Sequence, residues 1–365
     1  MVFYKTLFLD TYINTKLDTS VNWRYTIVMF QPKYTLTTKL LRNTTKIERL
    51  YGQLEGLQVP KKLMLNLERE NLITSTYASN KIEGNPLSRI EVTNLLLGER
   101  VPVNRAEKEV INYFQILNSF SKNSNGDLTI LLMLELHKLL MTGVNDDIKG
   151  TIRNQKVVVG SYDEKLNLVI KHNPPFHTEP EITRTLKDLF DWVNNEEDVL
   201  NILKIGIFHH QFEYIHPFED GNGRIGRLLT VLLFLKYNYA INRYFILDDY
   251  YDIDKNEYSD SLHTADSGDN TKWLEYFTQG IIYSMQSALG KLNLGLSKLS
   301  VSIRPTPKEK EALEIIQRYN EVTTQNIAAE MKVSRQQAFN LLKSLIEKGF
   351  IEQIGESKST YYVLL

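Results

Sequence analysis

Apolar positions recur at helical spacing along most of the chain. Leu40, Leu41, Ile47, Leu50, Leu54 and Leu57 mark a first helix that Pro60 punctuates. A second runs from about Leu63 to Asn80, and Gly84 and Pro86 end it. Further helices fit Leu87 to Leu97, Glu107 to Asn118, Leu128 to Met141, Pro180 to Asn194 and Thr271 to Leu299. Two apolar runs, Ile205 to Phe212 and Leu228 to Leu235, flank a short polar segment, which predicts helix, loop, helix. One stretch breaks the helical period. Val157, Val158 and Val159 lead into Gly160, Leu166 to Ile170 follow polar turn residues, and Pro174 and Pro175 close the stretch, which predicts a β-hairpin.

Pro305 and Pro307 mark a boundary near the C-terminus. Beyond it come two helical patterns between Pro307 and Met331, a Val333-Ser334 turn and a helix from Arg335 to Lys348. A hairpin pairing Ile351–Ile354 with Tyr361–Leu364 follows. Three helices and a hairpin suggest a winged helix-turn-helix. Residues 1–30 alternate aromatic and polar positions without a helical period, so they read as a leader or hairpin. The fold class expected is mainly α, divided into residues 1–30, an N-terminal helical region 31–104, a core 105–300 and the domain 308–365.

Composition narrows the chemistry. The 365 residues suffice for two or three domains. With 43 basic against 44 acidic side chains, the net charge of -1 exerts no global pull on nucleic acid or membranes. The absence of cysteine excludes disulfides, thiolate metal sites and cysteine nucleophiles. No apolar run approaches a membrane span and no signal peptide is evident, so a soluble cytoplasmic protein is the default expectation.

The polar segment between the two apolar runs reads His216-Pro217-Phe218-Glu219-Asp220-Gly221-Asn222-Gly223-Arg224-Ile225-Gly226-Arg227. A glycine-rich turn feeding a helix N-terminus is an anion site, because free backbone N–H groups point outward there. His216 can take a proton near neutral pH. Asp220 is a hard oxygen ligand suited to magnesium. Gly221 and Gly223 allow close backbone approach, Asn222 can donate to a phosphate oxygen, and Arg224 and Arg227 share a helix face and can fork onto phosphates. Singly, each residue has a plain structural reading. Together they suit a polyphosphate, a divalent metal and an adjacent base.

This segment resembles the signature of the Fic-domain family, His-Pro-Phe-x-(Asp/Glu)-Gly-Asn-Gly-Arg-x-x-Arg, at every specified position. The resemblance covers roughly residues 70 to 285. It implies a helical core that transfers AMP from ATP to a hydroxyl of a protein and releases pyrophosphate. On that resemblance His216 is the general base and Asp220 holds Mg²⁺. Gly221, Asn222 and Gly223 form the anion hole, Arg224 supports the triphosphate, and Arg227 pairs with the γ-phosphate. Phe218 anchors the loop in the core, and His209 plays a structural hydrogen-bonding role. The predicted hairpin stands where the family has a flap that pairs with its target by strand addition, with Val157, Val158, Val159 and Gly160 lining the nucleotide pocket. Tyr258 and Asp266 fall where the family contacts adenine and ribose. The chain departs from the commoner pattern there, with Tyr258-Ser259 for a tyrosine pair and Asp266 for asparagine.

A second segment, Ser79-Asn80-Lys81-Ile82-Glu83-Gly84, reads by itself as a helix end with Gly84 as the stop. It also resembles the family's inhibitory motif, Ser/Thr-x-x-x-Glu-Gly/Asn. The resemblance implies that Glu83 binds Arg227 and occupies the γ-phosphate position, with Ser79 orienting the glutamate. In some brake-bearing relatives the same glutamate activates water and removes AMP. The partners implied are ATP, a hydroxyl-bearing target protein with the chain itself among the candidates, and a second copy in a homodimer. In the C-terminal domain, Arg335, Gln336, Gln337, Asn340 and Lys343 can reach a DNA major groove, while its balanced charge predicts only modest phosphate affinity. A gel shift at low salt separates DNA binding from protein docking. The alternative to an enzyme is a nucleotide-sensing, DNA-binding transcriptional regulator, against which an intact His216 counts.

Overall fold

Helix α7 (Asn201–Ile215) is buried around nearly its whole circumference, its polar Lys204, His209, His210, Gln211 and Glu213 included. It lies at the centre of a helical unit and packs against α6 (Glu179–Asn195) and α8 (Asn222–Lys236). Gly206 lets helix α11 (Thr271–Ile303) come close. A Cβ there would lie 2.8 Å from Leu274 and Phe277, and Trp273 Nε1 donates to the Gly206 carbonyl at 2.7 Å. This is a computed structural model, and it describes residues 30–98, 101–120, 126–162, 168–303, 305–355 and 360–364. The leader expected over residues 1–30 therefore lies, apart from Phe30, outside the described residues.

Around this centre stand α1 (Thr38–Gly56), α2 (Lys61–Ile82), α3 (Arg89–Leu97), α4 (Arg105–Ser119) and α5 (Ile130–Met141). Side-chain caps start several of them: Thr37 accepts from Leu40 N, Ser88 and Glu91 form a capping box, and Asn104 and Thr129 accept from the third residue beyond. Two short helices, α9 (Asp248–Ile253) and α10 (Lys255–His263), and a 3₁₀ turn, Thr264–Ser267, were not legible in the apolar pattern. Elements this short complete too few turns to show a period. Helix α2 packs on α4, α8 and α9, so its C-terminal end is carried to the start of α8.

The hairpin forms from β1 (Val159–Tyr162) and β2 (Leu168–His172), which pair antiparallel. The expected strand start at Val157 is corrected: Val157 and Val158 precede β1. The register shifts between Val159 and Gly160, and a Cβ on Gly160 would lie 2.4 Å from the Val169 carbonyl oxygen. The bulge therefore requires glycine there.

The chain divides into one unit through Leu289 and another from Gly290, within α11. The second unit contains α12 (Pro307–Tyr319), α13 (Thr324–Glu330), α14 (Arg335–Glu347) and the antiparallel pair β3 (Ile351–Ile354) and β4 (Tyr361–Leu364). The order of three helices and a hairpin agrees with the sequence pattern. Ala312, Ile316, Ile327, Ala338, Leu342 and Leu345 form its core. Capping boxes at Thr306, Thr323 and Ser334 begin its helices. Buried Glu309 accepts from Ser344 and Lys348, and although burial opposes it, these partners hold its carboxyl down at about 2. Arg335, Gln336, Gln337, Asn340 and Lys343 are exposed. Among the described residues no helix is long and apolar enough to cross a membrane.

Candidate active site

The turn between α7 and α8 is built by long-range contacts. His216 caps α7 in the left-handed region, at φ 51°, a conformation uncommon outside glycine. Arg153 holds it there. Its Nε donates to the His216 carbonyl at 2.7 Å, its Nη2 to the Ile215 carbonyl at 3.1 Å, and its backbone N–H to the Pro217 carbonyl. Phe218 is fully buried and stacks on the His137 ring at 3.7 Å. Gly150 N donates to His137 Nδ1, so the His137 proton sits on Nε2 and is donated to the Asp220 carbonyl at 3.0 Å. Burial lowers the His137 pKa to about 4, against the Asp220 carbonyl, so this brace is neutral at physiological pH.

Asn222 closes the loop. Its Oδ1 accepts from Phe218 N and its Nδ2 donates to the Phe218 carbonyl, both at 2.8 Å. One amide hydrogen of Asn222 is thus used inside the loop. Gly221, at φ 85°, caps α8, and a Cβ there would press on Met141 and Leu140.

The charged side chains converge on the N-terminal turn of α8. His216 Nδ1 lies 3.3 Å from the Glu213 carbonyl, which can only accept. The Nδ1 proton is thereby placed, and Nε2 is left as the basic nitrogen. Burial, followed by the nearby His172, brings the His216 pKa down to about 4, so the ring is an unprotonated base at neutral pH. Arg224 is buried, and among the described residues its Nε and Nη1 have no hydrogen-bond partner, with the Glu109 carboxylate 3.8 Å from Nη1. Buried donors left open in this way suit an anion. Its Nη2 reaches Asp220 at 3.2 Å, and Arg105 reaches the other Asp220 oxygen at 3.2 Å. The Asp220 side chain is 39% exposed.

Arg227 is buried and forked onto the end of α2. Its Nη2 donates to Glu83 Oε1 at 2.7 Å and to the Ser79 carbonyl at 3.0 Å, and its Nε donates to Ser79 Oγ at 2.7 Å. Ser79 therefore holds the arginine, where the sequence expectation had it orienting the glutamate. Asp248 stands 3.6 Å behind Arg227 Nε. Burial, the largest single influence, would weaken the charge of Arg227, but Glu83, Tyr258, Tyr113 and Asp248 together outweigh it and raise the pKa. Burial likewise opposes ionised Glu83, and Arg227 followed by Arg224 lowers its pKa all the same. A Cβ on Gly223 would fall 2.2 Å from Glu83 Oε1, so the carboxylate sits directly against the glycine turn.

The remaining expected residues lie elsewhere around the site. Val157 and Val159 are half-buried, and Val158 and Gly160 are exposed. Tyr258 is only 6% exposed, and its ring stacks on Tyr251 at 4.3 Å and faces the core. Its hydroxyl meets His209 Nε2 at 2.8 Å, and His209 Nδ1 meets Thr230 Oγ1, so His209 is a fully buried hydrogen-bonding residue, as expected. Asp266 is held by three histidines: His172 Nδ1 at 2.8 Å, His210 Nε2 at 3.0 Å and His263 Nδ1 at 3.1 Å.

Sequence reasoning missed Arg153, His137, His172 and Glu213. Buried Glu213 is pushed up to about 8 by burial, against the pull of Arg227, and among the described residues its Oε1 has no hydrogen-bond partner. Gly226 makes room for it, since a Cβ there would lie 2.2 Å from Glu213 Oε1. Only the apolar setting of a glutamate three residues before His216 hinted at this group.

Comparison with known proteins agrees with this construction. Residues 127–234 match the Fic/DOC family, so the chain carries a Fic domain. It is 28% identical over 297 residues to protein adenylyltransferase fic-1 of Caenorhabditis elegans, covering 76% of this chain and 53% of that protein. A crystal structure of a Fic family protein from Desulfovibrio desulfuricans superposes with a TM-score of 0.65 at 26% identity, covering 92% of this chain and 98% of that one. Residues 134–508 of C. elegans Fic-1 superpose with a TM-score of 0.56 at 25% identity, covering 69% and 71%. The chain spans about half the length of the curated nematode relatives it matches.

Proposed function

We propose that the chain is a self-inhibited protein adenylyltransferase. In this reading the hydroxyl of a target Ser, Thr or Tyr loses its proton to His216 Nε2 as its oxygen attacks the α-phosphorus of ATP. AMP becomes bonded to the target and pyrophosphate leaves. The low pKa of His216 supports this role, because the base is free at working pH. The open donors of Arg224 and the glycine-capped start of α8 suit the phosphates, and catalysis rests on positioning and charge neutralisation. Asp220 offers one partly exposed carboxylate next to that anion site, a donor set that fits Mg²⁺. When bound, the ion would supply charge neutralisation on the phosphate oxygens.

The observation that carries the inhibitory half is the 2.7 Å pair between Glu83 and Arg227 over Gly223. It takes up the arginine that a γ-phosphate would need and puts a carboxylate where the phosphate would lie. Glu83→Gly is expected to raise labelling by radioactive ATP about 5- to 150-fold, the usual span of a coupling between sites. Equal labelling of wild type and variant sinks the brake. Absence of label from both, with Mg²⁺ and lysate present, sinks the transferase reading.

A further inference from the structure

The histidines around Asp266 converge on one carboxylate from outside the loop 216–227. His172 ends β2, His263 ends α10 and Asp266 lies in the following 3₁₀ turn, so three separate elements supply the group. His172 Nε2 stands 3.0 Å from the Tyr214 carbonyl, which can only accept, so Nε2 carries the proton. Nδ1 of a neutral His172 is then a lone pair, yet it faces a carboxylate oxygen at 2.8 Å. Two acceptors this close require a positive centre between them, either a proton or a metal ion. His263 Nδ1 points at the same oxygen from 3.1 Å, and the three ligand atoms all lie within 4.8 Å of one another.

We propose that His172, His263 and Asp266 form a binding site for a divalent transition ion of the zinc type, separate from the magnesium role of Asp220. Ligand atoms of a tetrahedral zinc centre are about 3.3 Å apart, and the two nitrogen-to-oxygen distances here, 2.8 Å and 3.1 Å, lie within about half an ångström of that. Two imidazoles and one carboxylate select zinc and its neighbours over magnesium, which takes oxygen ligands. The surrounding contacts are those of a metal shell. The second nitrogen of His172 donates to a backbone carbonyl, which fixes ring and tautomer. The second oxygen of Asp266 is held by His210 Nε2, and Nδ1 of that buried histidine has no hydrogen-bond partner among the described residues, so its proton lies on Nε2 and is donated to the carboxylate. A cavity of about 520 Å³ adjoins the Asp266 side of the cluster and is lined there by Asp266, His210 and Tyr214. The inference goes beyond the transferase reading and does not rest on it.

The test is equilibrium dialysis of the untagged full chain against Zn²⁺ in the presence of millimolar Mg²⁺, with bound metal measured by mass spectrometry. One zinc per chain at micromolar concentration is expected, with affinity at least about 10-fold weaker in Asp266→Asn and in His263→Gln and retained in Asp220→Asn. Cobalt substitution should give the intense visible bands of a tetrahedral site in the wild type. Circular dichroism of each variant establishes that it is folded. Lack of zinc binding by the wild type, or equal binding by folded Asp266→Asn and His263→Gln, overturns the proposal and leaves a proton between His172 and Asp266.

Discussion

The loop 216–227 and the cluster around Asp266 differ in how they are assembled. The loop is contiguous in sequence. Its polar residues face one helix end because a turn between two buried helices has no other place to put them, and Asn222 closes it on itself. The cluster draws His172, His210, His263 and Asp266 from a strand, two helices and a 3₁₀ turn, with nothing local to announce it. Contiguous chemistry can be read from a string of residues. Chemistry assembled at long range becomes visible only when the fold is known.

That contrast can be tested by substitution. The largest effect is expected at the base. In a Glu83→Gly background, His216→Ala should lower labelling by about 10²- to 10⁴-fold, the usual worth of a positioned general base. A loss under tenfold would show that the loop works without its base and would blur the contrast.

A smaller effect concerns Glu213, which belongs to neither region. Its folded pKa, about 8, lies above the ordinary value of 4.5, so the folded state holds its proton more tightly than the unfolded state does. This stabilisation is complete below the unfolded pKa and is lost as pH rises through about 8. Buried His137, His209 and His216 act in the opposite sense. Their pKa values are lowered to about 4, 3 and 4, so their contribution is complete above the unfolded value of roughly 6.5 and is lost as pH falls. Between pH 6.5 and 8 the glutamate should therefore dominate, with stability falling by up to about 1.4 kcal/mol per pH unit. Glu213→Gln, which imitates the protonated form, should flatten the thermal midpoint across that window. A variant with the same slope as wild type would mean that Glu213 is already ionised. The smallest effect is expected at Tyr258→Phe, which removes a partner from buried His209 and should cost about 1 kcal/mol in denaturant unfolding. No change would place the hydroxyl outside the buried network.

The same contrast explains what was legible. The long helices were, because each spans enough turns to show a buried stripe, and the loop was, because its residues adjoin. The Glu83–Arg227 contact spans 144 positions, and only the resemblance of the Ser79–Gly84 segment to an inhibitory motif pointed to it. Arg153 could not be anticipated. A lone arginine beside an apolar run reads as a surface charge, and only the fold brings it under the Ile215 and His216 carbonyls. Tyr258 shows the opposite failure. Its sequence position suggested a ligand contact, but packing on Tyr251 takes the ring into the core. Within the loop itself, no spacing rule reveals that Asn222 also binds the backbone four residues earlier.

Glu83 follows the last residue of α2, and the backbone there is tied off independently. Glu83 N and Asn85 N both donate to the Asn80 carbonyl, and Gly84 N donates to Lys81. The carboxylate reaches Arg227 by its side chain alone, which is 36% exposed. Opening the site therefore takes a turn of three side-chain torsions and leaves every hydrogen bond of the helix in place. The intrinsic timescale of such a turn is picoseconds to nanoseconds, slowed only by the strength of the ion pair. In the proposed brake, the resting activity would be set by how often this carboxylate leaves Arg227.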